Sequence, residues 1–242
     1  MRALLVLPTY NEAENVEAVL RAVRASAPHV AVLVVDDGSP DGTAKLAEAI
    51  GVELGGIEVL RRAAKSGLGS AYRAGFRIGM ARGYDVLIEM DADLSHDPSV
   101  IPTMLGVIER GADLAIGSRY VPGGSIPDWP RHRRAISRIG NQYARVMLRL
   151  RVNDATAGFR AFTAAALRKI DLDRVRADGY GFQVEMVYSV QHNGGVVTEL
   201  PITFRDREHG ISKMSGRIVV EALVLVTWWG IRDRLRLPRR AP

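Results

Sequence analysis

Short valine- and leucine-rich runs alternate with helix-patterned segments through the first half of the chain, and each run ends in polar residues. Residues 3–7 and 31–36 are too short for buried helices and lack the in-out alternation of a half-exposed strand. They read as strands buried on both faces, as in a parallel sheet. Between them, residues 11–27 set Val16, Val19, Leu20 and Val23 on one helical face. The pattern predicts a second helix from Asp41 to about residue 52, a strand over 57–60, a helix over 68–82 and a strand over 85–89. A helix over 98–110 and a strand over 113–117 follow. Strands alternating with helices predict an α/β fold with a doubly wound, mostly parallel sheet.

After Gly117 the character changes. Residues 118–130 carry Pro122, Gly123, Gly124, Pro127 and Pro130, which signals an irregular loop. A basic helix, a short stretch over 153–162, a helix over 182–192, a strand over 196–204 and a polar loop over 205–216 are expected. An apolar helix and an arginine-rich tail end the chain. With 242 residues the chain can build one sizeable core, and no linker divides it. The absence of cysteine excludes disulfides, thiolate metal sites and a thiol nucleophile. The apolar run at the N-terminus is too short for a signal peptide and reads as the first strand. No apolar segment reaches the roughly 20 residues that span a bilayer.

The net charge of +6 is unevenly spread. Residues 131–151 hold seven arginines and no acid, and residues 205–242 hold nine Lys or Arg against four acids. Such asymmetry points to a polyanion: nucleic acid, an anionic membrane surface or a phosphate-bearing substrate.

Acidic motifs gather where the predicted strands end. Leu87-Ile88-Glu89-Met90 runs into Asp91-Ala92-Asp93, which sets two carboxylates at the carboxyl edge of the sheet, where open α/β sheets bind ligands. Two hard oxygen ligands so close suit Mg²⁺ or Mn²⁺ shared with substrate phosphates, whereas a solvated turn is the simpler reading of the motif alone. Pro8-Thr9-Tyr10-Asn11-Glu12 and Val35-Asp36-Asp37-Gly38-Ser39-Pro40-Asp41-Gly42-Thr43 end the first two strands. Tyr10 can stack on a nucleobase and Asp37 can accept hydrogen bonds from base or ribose. Asp41 reads as helix-cap chemistry, but adjacent Asp36 and Asp37 need donors or a cation to coexist. Gly67-Leu68-Gly69 fails the dinucleotide spacing, because Tyr72 stands at the third glycine position. A glycine-led helix start near Arg61, Arg62 and Lys65 still favours an anion.

Taken in order, these motifs resemble one family. Pro8-Thr9-Tyr10-Asn11-Glu12, the Asp36-Asp37 segment, Asp91-Ala92-Asp93-Leu94 with His96, and Gly117-Ser118-Arg119-Tyr120 with Gly123-Gly124 follow the pattern of inverting family 2 glycosyltransferases. Asp154 to Arg160, Gly181-Phe182-Gln183 and Arg207 to Lys213 extend the likeness to the polyprenol (dolichol) phosphate mannose synthases, over residues 5–213. The resemblance implies a GT-A (Rossmann-like) fold over 1–216, with 217–242 a membrane-associating helix and basic tail in the same globular unit. It implies GDP-mannose as donor, polyprenyl phosphate as acceptor, and Mg²⁺ or Mn²⁺. By matching position, Pro8, Tyr10, Glu12, Val35 and Asp37 would hold the nucleoside, and Asp91, Ala92 and Asp93 the metal and diphosphate. Arg119, Gln183, Arg207 and Lys213 would meet donor or acceptor phosphates, with Asp93 and Arg119 the catalytic pair. Archaeal members carry Gln as a further metal ligand where this chain has Ser95; the shorter Ser95 implies looser metal binding.

A lipid phosphate monoester is mostly dianionic at neutral pH, so it needs no general base to attack. Glu185 and Asp154 are the base candidates if the acceptor is a hydroxyl. A UDP-sugar donor is the alternative within the family, and a nucleic-acid-binding protein the alternative outside it. The latter lacks aromatic interleaving and leaves the acidic turns unexplained. At 100° per residue, Arg131, Arg134, Arg138, Arg145 and Arg149 share an arc of about 60°, with Ile136, Ile139, Tyr143, Val146, Met147 and Leu150 nearly opposite. The expectation is an apolar face on the core and an arginine face on anionic lipid. Trp228-Trp229 beside Arg232 and Arg234 suits a membrane interface. A peripheral enzyme on the cytoplasmic face, docked on the bilayer or on a separate membrane-anchored subunit, is expected.

Overall fold

The computed structural model describes residues 1–175, 177–206 and 216–235. Seven strands form one sheet: β1 (Ala3–Thr9), β2 (Ala31–Asp36), β3 (Ile57–Arg61), β4 (Val86–Glu89), β5 (Leu114–Ser118), β6 (Arg160–Thr163) and β7 (Val197–Pro201). Their order is β3-β2-β1-β4-β6-β5-β7. The pairs β3-β2, β2-β1, β1-β4 and β5-β7 are parallel, whereas β6 runs antiparallel to both β4 and β5. The mostly parallel α/β sheet is thus as expected, but the sequence reading assigned no strand within the short stretch 153–162 and missed β6. That strand is four residues long and begins with a fully buried arginine, so its apolar signal is nearly absent.

Both faces of the sheet are covered, which explains the unbroken apolar runs. Along β1, Leu4 and Val6 join one core, and Ala3, Leu5 and Leu7 the other, following the two-residue period of a strand. One face receives α1 (Val16–Ser26) and α4 (Ile101–Glu109), and the other receives α3 (Leu68–Ala81) and α7 (Gly179–His192). Helix α3 lies close on the sheet because two of its residues lack side chains. A Cβ on Gly75 would come 2.4 Å from Val6, and one on Gly79 would come 2.2 Å from Leu87. Helix α2 (Thr43–Leu54) begins two residues after Asp41, whose carboxylate accepts the backbone N–H (3.0 Å) and the hydroxyl (2.6 Å) of Thr43. The short α6 (Ala164–Arg168) follows β6.

Two further helices build the outer layer of the second half. Helix α5 (Arg131–Leu148) forms as expected, but with a different inner face. Asn141, Ala144 and Leu148 are buried, whereas Ile136, Ile139 and Val146 are 65%, 68% and 58% exposed. The inner strip lies beside the arginine arc rather than opposite it, because the wall it meets is polar: the Asn141 amide donates to Thr156 Oγ1 at 3.1 Å. Helix α8 (Gly216–Arg234) packs against α7 and α5. Gly230 lets it approach Met147, and the Tyr143 and Thr227 hydroxyls meet at 2.5 Å. Trp229 is buried, stacked on Tyr188, while Trp228 stays 48% exposed. No helix among the described residues is long and apolar enough to cross a membrane.

Candidate active site

The carboxyl ends of β2, β1 and β4 lie side by side and open into a cleft of about 400 Å³. Pro8, Tyr10 and Glu12 after β1, and Asp37 after β2, line one end. The adjacent acids are reconciled by separate partners. Asp36 accepts from Thr9 Oγ1 (3.0 Å), Ser39 N (2.9 Å) and Ser39 Oγ (2.6 Å), so it builds the turn. Asp37 pairs with Arg62 at 2.8 Å and accepts from Ser66 N at 3.0 Å. The Lys65 ammonium stands 4.4 Å over the Tyr10 ring. Val35 is buried in the core beneath and does not line the cleft.

Asp91, Ala92 and Asp93 form the middle of the cleft. The turn they make holds Leu94 at φ 63°, a conformation that costs a non-glycine residue about 1–3 kcal/mol and gathers at functional sites. Asp91 is open on one side: Tyr72 Oη lies 3.4 Å from Oδ1 and His96 Nε2 lies 3.7 Å from Oδ2. Burial, reinforced by Asp91, raises the Tyr72 hydroxyl well above its ordinary value, so it remains a donor. Gly158 faces Asp91, and a Cβ there would sit 3.1 Å from Oδ2. Asp93 is buried and accepts from Ser95 Oγ at 2.5 Å. Ser95 is therefore turned toward Asp93 and does not line the cleft.

This donor set fits a divalent ion shared with a diphosphate. No cluster of three or more His, Cys, Asp or Glu suited to a metal exists among the described residues. Two carboxylates, with the remaining ligands left to phosphate and water, is how Mg²⁺ and Mn²⁺ are held beside substrate phosphates. Beneath them Glu89 is fully buried. Burial pushes its carboxyl up to about 8, against the opposing charge of Arg160 across the ladder. The Arg160 guanidinium donates instead to the carbonyls of Ala155, Ala157 and Gln183, at 2.6–2.8 Å.

The far wall holds Arg119, Trp129, Arg133, Phe204 and Gln183. Arg119 is buried and bound by Asp154 through Nε (2.7 Å) and Nη2 (2.6 Å), while its backbone N–H reaches the same carboxylate at 3.0 Å. Burial alone would raise the Asp154 carboxyl, but the Arg119 charge and hydrogen bonds hold it below its ordinary value. Asp154 is fully buried and, like Glu185, does not line the cleft, so neither is placed as a base. Arg133 stacks 4.0 Å over Trp129 and pairs with Asp206 at 3.0 Å.

Sequence reasoning missed Trp129, Arg133, Asp178 and Tyr180 in this wall; only the Pro-rich loop ahead of the basic helix hinted at it. Asp178 Oδ1 accepts from Gly69 N (2.7 Å), so a carboxylate of the chain itself takes the anion position at the start of α3. Gly67, at φ 91°, permits this, because a Cβ would fall 2.1 Å from Asp178 Oδ2. Of the residues expected at the acceptor or membrane, Arg131 and Arg138 are exposed, whereas Arg134 donates to the Trp129 carbonyl at 3.0 Å. Trp229 faces inward. Arg207 and Lys213 lie outside the described residues.

Residues 4–171 match the family described as Glycosyl transferase family 2. The chain belongs to this family. Among curated relatives, this glycosyltransferase is 52% identical over 234 residues to the undecaprenyl-phosphate mannosyltransferase of Micrococcus luteus, covering 97% of this chain and 96% of that one. It is 48% identical to the polyprenol monophosphomannose synthase of Mycolicibacterium smegmatis, over 97% of this chain and 89% of the relative. Among solved structures, glucosyl-3-phosphoglycerate synthase of Mycobacterium tuberculosis superposes with a TM-score of 0.71 at 18% identity, over 98% of this chain and 81% of that one. The sheet with its antiparallel β6 is accordingly a GT-A fold.

Proposed function

We propose that this glycosyltransferase moves mannose from GDP-mannose to the phosphate of a polyprenyl phosphate, with inversion. The names of the two bacterial relatives, which span nearly the whole chain, support the lipid phosphate acceptor and the mannosyl group. One observation carries the reading of the site: the acids on the acceptor side of the cleft are each engaged by a partner. Asp178 is held by Gly69 N and Gly179 N and Asp206 by Arg133, while Asp154, bound by Arg119 behind the wall, does not reach the cleft. A hydroxyl acceptor needs a free base there, whereas a phosphate dianion does not.

Tyr10 and Asp37 bind the guanosine end, and Asp91 and Asp93 hold Mg²⁺ or Mn²⁺ against the diphosphate. The ion supplies charge neutralisation for the departing diphosphate. The cationic wall of Arg119 and Arg133 draws in the acceptor phosphate, while Trp129 and Phe204 shield that encounter from water. The acceptor oxygen attacks the anomeric carbon in line, the bond to GDP breaks, and the centre inverts. A lipid-borne acceptor together with a nucleotide-sugar donor supports a peripheral enzyme on the cytoplasmic face of a membrane.

The test is radiolabel transfer by purified protein from GDP-mannose to undecaprenyl phosphate, with Mg²⁺ or Mn²⁺, beside UDP-glucose as competitor donor. Label should enter the lipid phase from GDP-mannose and require the acceptor and a divalent ion. Label staying in the aqueous phase with both metals, or entering equally well from UDP-glucose, refutes the assignment.

A further inference from the structure

We propose that Tyr72 and His96 are positioning residues that hold the Asp91 carboxylate from both sides and set its open lone pairs toward the ion and diphosphate. The proposal rests on the reading of Asp91 as a ligand of that ion. Tyr72 stands where the sequence breaks a known spacing: in Gly67-Leu68-Gly69-Ser70-Ala71-Tyr72 it takes the place of the third glycine of a dinucleotide fingerprint. A glycine there would let helix and strand pack close. Here α3 sends a hydroxyl toward the sheet edge instead, and its Oη lies 3.4 Å from Asp91 Oδ1. His96 comes from the turn after β4, and its Nε2 lies 3.7 Å from Asp91 Oδ2. With the proton on Nε2, the tautomer that a carboxylate neighbour favours, each oxygen of Asp91 faces its own donor. A further 33% of the Asp91 side chain stays exposed to the cleft.

Both rings are packed in place, and neither polar tip serves the core around it. Tyr72 is fully buried, its ring stacked 5.9 Å from Phe182 and 6.0 Å from Phe76. Its hydrogen-bond partner among the described residues is Asp91. His96 is buried against Phe159 at 5.1 Å and Phe204 at 5.3 Å, and neither ring nitrogen has a hydrogen-bond partner among the described residues. Aromatic surroundings of this kind favour phenylalanine, because a buried polar tip without a good partner costs stability. A hydroxyl and an imidazole kept there at that cost, both facing one carboxylate of the cleft, point to a task on that carboxylate. The backbone beside His96 is pinned as well. Arg205 N donates to the Ser95 carbonyl at 3.2 Å, and Asp97 accepts from Ser99 N at 2.9 Å.

The two contacts are long, as the hydrogen bonds of active sites are before substrate binds, and they tighten once the cleft is loaded. A carboxylate without such partners turns about its Cβ–Cγ bond and must be ordered when the ion arrives. Two fixed donors supply that order beforehand, in the way that carboxylates beside metals are in turn hydrogen-bonded. Asp93 has the same support in a shorter form, since Ser95 N and Ser95 Oγ both donate to its Oδ1, at 3.2 and 2.5 Å. The turn therefore holds Asp93 from within. Asp91 is held from without, by α3 on one side and by the residue after Ser95 on the other.

The test is calorimetric titration of the full chain with GDP, once with Mn²⁺ and once with EDTA, beside thermal unfolding of the same preparations. Tyr72→Phe should unfold at the parental temperature or above, bind GDP in EDTA as the parent does, and bind it with Mn²⁺ about tenfold more weakly. His96→Asn, whose amide reaches only the place of Nδ1, should show the same selective loss of about tenfold. His96→Gln, whose amide nitrogen reaches the place of Nε2, should keep most of the parental affinity. Parental Mn²⁺-dependent affinity in both Tyr72→Phe and His96→Asn overturns the proposal. So does an equal loss with Mn²⁺ and with EDTA, which would mark the two rings as supports of the cleft and nothing more. Asp91→Asn is the separate arm: it should abolish the gain in GDP affinity that Mn²⁺ gives the parent. If Asp91→Asn retains that gain, the reading of Asp91 as a ligand fails, and the positioning role falls with it; if Asp91→Asn loses it while the Tyr72 and His96 variants do not, the positioning role fails alone.

Discussion

The Arg119–Asp154 pair separates what holds the cleft together from what acts in it. Asp154→Ala removes three contacts of 2.6–3.0 Å from Arg119 and leaves its guanidinium buried, with Thr156 Oγ1 at 2.8 Å as its remaining hydrogen-bond partner among the described residues. Both side chains are at most 4% exposed, so solvent cannot take over. Stranding a buried charge costs about 3–5 kcal/mol. For a chain of this size, at about 2–4 °C per kcal/mol, that is a fall in Tm of about 6–20 °C. Removing both charges with Arg119→Met/Asp154→Leu should recover most of that loss, since an apolar pair of similar volume is often neutral or better. Transfer should not recover with it, because the guanidinium proposed to meet the phosphates is gone. Thermal unfolding and labelled transfer, measured on the same preparations, give both readouts. A double variant that is stable and also transfers at the parental rate would refute a phosphate-handling role for Arg119. A single variant as stable as the parent would refute the energetics.

Three other outcomes are expected. Gly158→Ala should leave the unfolding stability within about 1 kcal/mol of the parent but weaken Mn²⁺ binding by calorimetry and slow transfer about tenfold, because its Cβ crowds Asp91 Oδ2 at 3.1 Å; parental metal affinity would count against Asp91 as a ligand. Gly75→Ala should destabilise, since driving a methyl to 2.4 Å from Val6 costs about 1–3 kcal/mol against a helix-propensity gain of about 1 kcal/mol; a raised Tm would contradict the close packing of α3. The Asp154 carboxyl sits below its ordinary value, so its stabilisation is fully present above that value and is lost as pH falls through the folded one. The parent should therefore lose Tm more steeply below about pH 4 than Arg119→Met/Asp154→Leu, and parallel acid limbs would rule the linkage out.

Period and punctuation made much of the fold legible. Strands β1, β2, β4 and β5 are buried on both faces and announce themselves as apolar runs, with helices between them patterned for one buried face. The motifs at their ends could be read because a parallel sheet collects its loops at one edge. What escaped has physical causes. In β6, Arg160 is satisfied by three backbone carbonyls, so a buried strand carries a charge that no periodicity argument expects. For α5, the helical wheel gave the arcs correctly but not which arc faces inward, since the wall it meets is polar and selects Asn141 and Ala144. Trp229 and Trp228 are neighbours in sequence but about 100° apart on α8, so one is core and the other surface. The wall sets Trp129 and Arg133 beside Asp178, some way further along the chain, and no local pattern joins the two segments.

The ladder between β4 and β6 reaches further than its four pairs. Residues 86–89 face 163–160 in antiparallel order. Counted two steps beyond Glu89 and Arg160, the same order sets Asp91 opposite Gly158. The open side of Asp91 is therefore fixed by strand alignment, not by a loop that can adjust. A one-residue slip of β6 would carry Phe162 to the wrong face of the sheet and bring a side chain opposite the carboxylate. Folding and the room at the heart of the cleft are thereby checked by one alignment: a chain that pairs β6 out of step loses its core and its site together.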